Sequence, residues 1–365
     1  MATLHPRQLT AKLSKASTLS ELLSLQQRHG AQFDGIHVGA FWSRFKTLAR
    51  GELGGLSHRL APVCEQTVRM LPELDARQVA NVAHAFATAR LVGTGPCQNV
   101  WAALQEAVLR SLGELNPQHL ANTTWAFATA GRESPELFDV ISAEVVRRGL
   151  GGFNEQNLSN TTWAFAKADR EAPVLFDLIS AEVVRRGLGG FNEQNLSNTS
   201  WAFAKAGHAA PALFDIISAE VVRRGLGDFN EQNLTNTAWA FAKAGRAASV
   251  LFDLISAEVV RRGLGAFNGQ NLSNTAWAFA TAGREAPALF DLISAEVVRR
   301  GLGDFNAQDL FNTVWAFAKA GREAPAFFDV ISAEVVRRGL AGFHEQALSN
   351  TAWAFATVGR AAPEL

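Results

Sequence analysis

Gln156, Asn160, Trp163 and Lys167 stand at i, i+4, i+7 and i+11 in the stretch QNLSNTTWAFAK. At about 100° per residue that spacing places all four on one side of an α-helix. Two amides, an indole and an ammonium in one row are the groups that reading a single strand requires. Amides hydrogen-bond base edges, an aromatic ring stacks a base, and a lysine meets a phosphate. The row recurs as Gln194, Asn198, Trp201 and Lys205, and again as Gln232, Asn236, Trp239 and Lys243. Gln270 and Asn274 continue it, then Gln308, Asn312 and Lys319. Thr129, Thr281 and Thr357 interrupt the lysine rung. Beside the row, Asn157 is matched by Asn195, Asn233 and Asn271, but by His119, Asp309 and Ala347 in other copies. A polar position that changes between otherwise near-identical segments is the one expected to select the base.

Each of these residues also has a structural reading. A repeated asparagine at one helix position can satisfy backbone groups of the adjoining copy. Trp163 can pack between neighbouring helices, and Gln156, near a helix start, can cap it. A second repeated feature, Arg185–Arg186, recurs as Arg147–Arg148, Arg223–Arg224, Arg261–Arg262, Arg299–Arg300 and Arg337–Arg338. A double row of guanidinium groups suits phosphate. Cations at a helix C-terminus equally complement its dipole, and one of each pair lies four residues after a glutamate such as Glu182.

The elements that must hold these rows follow from an internal repeat. The 38 residues from Phe153 to Gly190 and those from Phe191 to Asp228 agree at 31 positions and differ at seven. Further copies begin at Leu115, Phe229, Phe267 and Phe305. In the copy at Phe153, Asn154 suits an N-cap, with Phe153 and Leu158 around it as a hydrophobic staple. A first helix then runs from about Glu155 to Ala168, ended by Asp169 where most copies have glycine. Pro173 suits the first turn of a second helix and Gly187 its C-terminal end. Leu158, Thr162 and Phe165 form the inner side of the first helix, and Leu175, Phe176, Ile179 and Val183 that of the second. Neither helix shields its apolar side alone, so the copies must stack. The expected fold is all-α, a right-handed α-solenoid of helix–turn–helix repeats. Its expected parts are a helical lead-in over 1–32, two degenerate repeats over 33–114, six regular repeats over 115–342 and a partial repeat over 343–365. Ending inside a repeat predicts either a fragment or an exposed last face.

At QNLSNTTWAFAKA the sequence resembles the octotricopeptide-repeat family of organellar RNA-binding proteins. The same Asn-x-x-Trp-Ala-Phe-Ala signature is similar to the repeats of FAST-kinase-domain proteins and of the mitochondrial RNA-editing substrate-binding complex. Leu19 to Arg50 resembles the lead-in that such proteins place before their repeats. The resemblance, over roughly residues 18 to 365, implies binding of single-stranded organellar transcripts, together with other RNA-processing proteins, to direct stability, processing, editing or translation. It also implies a mitochondrial or chloroplast location. The first 20 residues, with Arg7, Lys12 and Lys15 and no acid, carry a trace of transit-peptide composition. The RAP domain common in relatives is missing from the sequence, and the repeats are unusually uniform.

Composition bounds these readings. Lys plus Arg and Asp plus Glu both total 34, so the chain has no general electrostatic attraction for nucleic acid or an anionic membrane. No apolar run reaches the length needed to span a bilayer. Cys64 and Cys97 are far apart in sequence and fit neither a disulfide framework nor a zinc site. Nucleotide-binding and metalloprotease motifs are missing, and nothing places a general acid and base together. The expectation is therefore neither an enzyme nor a cofactor or metal protein. It is a sequence-selective single-stranded RNA binder, with an α-solenoid protein-interaction scaffold as the alternative.

Overall fold

The regular repeats open on an asparagine. In the computed structural model, which describes residues 4–49, 57–91, 97–132, 134–246, 248–339 and 345–360, Asn154 lies in extended backbone. Its Oδ1 accepts from the Asn157 amide at 2.8 Å, and its own amide donates to Asn157 Oδ1 at 3.3 Å. This reciprocal cap satisfies two donors that a helix start otherwise leaves orphaned. It recurs at Asn192–Asn195, Asn230–Asn233, Asn268–Asn271 and Asn306–Asp309. The first helix stops where the chain turns left-handed, at Gly207, Gly245, Gly283 and Gly321 with φ between 60° and 64°. Asp169 (φ 48°) and Arg90 (φ 55°) adopt that conformation with a side chain, at a steric cost glycine does not bear. The second helix of most regular repeats begins on proline, whose missing N–H costs nothing at that position.

Two compact bodies result, residues 1–179 and 180–365. The first contains α1 (Pro6–Lys15), α2 (Leu19–His29), α3 (Gly35–Leu48), α4 (Ser57–Met70), α5 (Ala76–Thr88), α6 (Gln98–Ser111), α7 (Pro117–Thr129), α8 (Pro135–Arg148) and α9 (Glu155–Lys167). Helix α10 (Pro173–Arg186) contains the division between the bodies. The second body continues with α11 (Glu193–Lys205), α12 (Pro211–Arg224), α13 (Glu231–Lys243), α14 (Ser249–Arg262), α15 (Gly269–Thr281), α16 (Pro287–Arg300), α17 (Ala307–Lys319), α18 (Pro325–Arg338) and α19 (Glu345–Thr357). No strand occurs among the described residues. Residues 343, 344 and 361–365 of the expected partial repeat lie outside them.

Within each body the helices form two rows. In the first, α1, α3, α5, α7 and α9 pack side by side, as do α2, α4, α6 and α8. In the second, α11, α13, α15, α17 and α19 make one row, and α12, α14, α16 and α18 the other. This is a helical-repeat solenoid arrangement. Helices α1 and α2, expected only as a lead-in, occupy the first place of each row.

The core lies between the rows. Leu196 and Phe203 of α11 and Leu213, Phe214, Ile217 and Val221 of α12 are all at most 2% exposed. Each such side chain contributes about 1.5–3 kcal/mol by leaving water. Phe214 reaches into the next repeat and meets Phe241 edge-on, ring centres 5.1 Å apart. Phe252–Phe279 and Phe290–Phe317 repeat the contact at the same 5.1 Å.

A polar latch joins the same repeats. Arg224 donates to Glu220 Oε1 at 2.6 Å, and then to the carbonyls of Phe191 (2.5 Å), which opens its own repeat, and Leu188 (2.6 Å), near the end of the repeat before. Arg262, Arg300 and Arg338 reach the corresponding carbonyls at Phe229, Phe267 and Phe305. At Arg148, Arg224, Arg262, Arg300 and Arg338 the second arginine of the pair thus closes the turn between the two helix rows. The first arginine is different. Arg185, Arg223, Arg261, Arg299 and Arg337 have side chains 67–69% exposed, each held bidentate by its glutamate at 2.7–2.9 Å. Those hydrogen bonds, led by the one from the exposed arginine, hold Glu182, Glu220, Glu258 and Glu334 down at about pKa 2.

Candidate nucleic-acid interface

The outer side of the first-helix rows carries the residues singled out in the sequence, with one correction. Gln156, Gln194, Gln232, Gln270 and Gln308 are exposed, and so are Lys167, Lys205, Lys243 and Lys319. Asn160, Asn198, Asn236, Asn274 and Asn312 are half-buried on the same side. Asn157, Asn195, Asn233, Asn271 and Asp309 are not on that surface: they are 4–6% exposed. Their oxygens complete the helix caps described above. The Nδ2 of Asn233 donates to Ser197 Oγ at 3.0 Å, and that of Asn271 to Gln232 Oε1 at 3.3 Å, each one repeat back. The position expected to select a base is therefore a structural one, and its amide-to-carboxylate change at Asp309 tracks capping. Burial raises the Asp309 carboxyl above its usual range, opposed by the Asn306 amide that it accepts from.

Gln232 shows how the exposed amides are held. Its Nε2 donates to Asn236 Oδ1 at 2.7 Å across one helical turn, while its Oε1 accepts from Asn271 of the next repeat. Gln232 is thereby positioned from both sides, by bonds that are solvent-exposed or half-exposed. The tryptophans form a ladder of their own. Trp201, Trp239 and Trp277 follow one another at 6.2 and 6.0 Å between ring centres, tilted by 33° and 31°. Trp125 and Trp163 repeat this at 6.5 Å. Rings at that separation already touch. A base therefore cannot be sandwiched between them, and only their outer edges are open, so the packing role accounts for most of each indole. His84 fills the corresponding place in α5, 5.2 Å from Trp125, with Lys46 Nζ 3.4 Å from its Nδ1. Burial first, and that ammonium second, push the His84 imidazole down to about 4.

A further basic row was not singled out in the sequence. Arg246, Arg284 and Arg322 lie in the turn after each first helix, three residues beyond the position of the lysines. Arg284 and Lys319, with Arg322 and Glu285, line a cleft of about 350 Å³ beside Phe279 and Pro287. These arginines are anchored by aspartates of the preceding repeat, Arg284 to Asp253 at 2.7 Å and Arg322 to Asp291 at 2.5 Å. Recurrence of arginine every 38 residues, with an aspartate 31 residues before it, was the available signal. In the repeats that hold both Lys243 and Arg246, or Lys319 and Arg322, the edge of the first-helix surface thus carries two cations, one of them paired with an aspartate. Among the described residues no group of three or more His, Cys, Asp or Glu could hold a metal ion, and no helix is long and apolar enough to cross a membrane.

The chain is similar in three places to a family described only as a protein of unknown function (DUF1601). The matched segments are residues 102–123, 220–237 and 295–314. Each runs from the end of a second helix into the following first helix. Each therefore contains the latch arginine (Arg110, Arg224, Arg300), the N-cap asparagine (Asn116, Asn230, Asn306) and the exposed glutamine (Gln118, Gln232, Gln308). No curated protein matches the chain.

Proposed function

We propose that the chain binds single-stranded RNA along its first-helix rows, one regular repeat to each nucleotide. The observation that carries this reading is the exposed glutamine and half-buried asparagine that recur at one place in α9, α11, α13, α15 and α17, with a lysine at the end of four of these helices. Amides fixed by bonds to neighbouring amides meet base edges, and the lysine–arginine edge meets the phosphates. The resemblance to octotricopeptide repeats supports this, and extends it to organellar transcripts handled with other RNA-processing proteins. Because the exposed Gln and Asn are the same in successive repeats, the target is a run of one base.

Binding of the full chain to the four homopolymer RNAs, read by fluorescence anisotropy over a salt series, tests the proposal. One homopolymer should bind best. Replacing Lys205, Lys243 and Lys319 by alanine should weaken every homopolymer and flatten the salt dependence by about 0.7 in slope per lysine. Replacing Gln194, Gln232 and Gln270 by alanine should erase the preference and leave the slope. Equal or undetectable affinity for all four would falsify it.

A protein scaffold is the second reading, favoured by a specific row of exposed side chains on the second helices. Val184, Val222, Val260, Val298 and Val336 are 38–44% exposed beside the bidentate arginine–glutamate pairs. Partners that stay bound to the full chain after nuclease treatment, and are lost when these valines become serine, support this reading over the first.

A further inference from the structure

The two cysteines of the chain, 33 residues apart, meet in the degenerate repeats. Cys64 lies in α4 and Cys97 immediately precedes α6, two helices packed in the same row. Their sulfurs are 3.3 Å apart, and the residues are 0% and 5% exposed. We propose that Cys64 and Cys97 are a peroxide-sensing thiol pair that closes to an intramolecular disulfide across two neighbouring repeats.

The geometry assigns the two sulfurs different parts. Cys97 stands at the N-cap of a 14-residue helix, where the unsatisfied amides and the helix dipole favour a thiolate. The two thiols share one hydrogen bond, and with Cys64 as its donor the Cys97 thiol is pulled below its ordinary range and that of Cys64 pushed up, burial adding to the rise. Cys97 is also the slightly more accessible of the two. The Cys97 thiolate attacks one oxygen of hydrogen peroxide. The S–O bond forms as the O–O bond breaks, giving a sulfenic acid and hydroxide. Cys64 sulfur then attacks the Cys97 sulfur, the S–O bond breaks, and the Cys64 proton leaves with the hydroxyl as water. Two thiols lose two electrons and the peroxide gains them. The sulfurs need approach by only about 1.3 Å to reach bonding distance. Neither residue belongs to the exposed rows of the proposed RNA surface, so this inference stands apart from that reading.

The test uses the reduced full-length chain treated with hydrogen peroxide, then denatured, alkylated and weighed intact. The expected product is a monomer lighter by 2 Da in which neither cysteine takes the alkylating agent and dithiothreitol restores both. In Cys64→Ser the same dose should leave Cys97 as a sulfenic acid that a dimedone probe labels. In Cys97→Ser, Cys64 should stay a free thiol. Two alkylatable thiols after treatment, a disulfide between molecules, or Cys64 oxidised first would each overturn the proposal. Circular dichroism of each variant before treatment confirms that its helices are intact.

Discussion

The repeats of the second body and those before residue 115 are built on one plan with different parts. In α11, α13 and α15 the cap is Asn–Asn. In α3 it is Asp34–His37 and in α5 Asp75–Gln78, with the same reciprocal bonds. The inter-repeat aromatic contact from a second helix to the next first helix is Phe–Phe in the regular repeats but Trp101 against Phe127 at 5.1 Å where α6 meets α7, while in the degenerate part the first helices α3 and α5 add Trp42 against Phe86 at 4.3 Å. The latch reaches three carbonyls at Arg262, those of Phe229, Leu226 and Gly227. Arg110 donates to the Leu71 carbonyl at 3.0 Å, and Gln66 to the Gly30 carbonyl at 2.5 Å. Slots survive the change of residue because each is defined by an unsatisfied group: an orphan amide, an orphan carbonyl, an uncovered ring. Sequence identity between repeats therefore measures recent copying, and says little about which repeats are well packed.

Truncating the aromatic contact puts that claim under the greatest load. Phe241→Ala should lower the unfolding free energy by about 3–5 kcal/mol in urea titrations, the usual loss for a buried phenylalanine. Phe86→Ala, which removes a ring facing both Trp42 and Trp101, should cost as much. A loss below about 1 kcal/mol at Phe86 breaks the comparison, since values that small belong to surface sites.

The latch should separate the two regions. Arg262→Met leaves three carbonyls without their donor while Arg261 still holds Glu258, and should cost about 2–3 kcal/mol, whereas Arg110→Met, with one carbonyl, should cost about 1 kcal/mol. Amide hydrogen exchange across residues 226–229 and 71–74 locates each loss, and equal losses would show that the fork adds nothing to a single bond.

Acid gives the smallest effect per repeat. The folded carboxyls of Glu182, Glu220, Glu258 and Glu334 sit at about 2, below the ordinary 4.5. A depressed carboxyl stabilises the fold above its unfolded value and gives that up as pH falls toward the folded one. The regular repeats should therefore keep full stability down to about pH 4.5 and weaken progressively toward pH 2, less so in high salt. Circular dichroism melts at stepped pH, compared with Glu220→Gln and Glu258→Gln chains in which the window is shallower, check this.

The sequence was most readable where a residue acts on its own helix. Asn154, Pro173, Gly187 and the buried stripes of Leu158, Phe165 and Phe176 do what their local spacing implies, because caps, turns and helix faces are set within a few residues. It was least readable where a side chain acts one repeat away. Asn157 looked free because its variation suggested selection, yet it closes its own cap, and its counterparts Asn233 and Asn271 also bond to the neighbouring repeat. Arg224, Arg262, Arg300 and Arg338 looked like dipole complements, yet reach carbonyls that no spacing within one helix reveals. Trp163 and its counterparts could be assigned to packing or to stacking only once the distance between successive rings was known. The contact of Cys64 with Cys97 depends on the stacking of α4 on α6, which the irregular lengths of those repeats concealed.

An arginine that reaches 36 residues back has a consequence for how the protein is made. The carbonyls of Leu188 and Phe191 are finished by Arg224, which leaves the ribosome later than they do. At every moment of synthesis the newest turn still waits for its clasp, while the ones behind it are already shut. Growth of the folded array is directional for that reason, and adding or losing one whole copy of the sequence leaves each clasp facing the turn it fits.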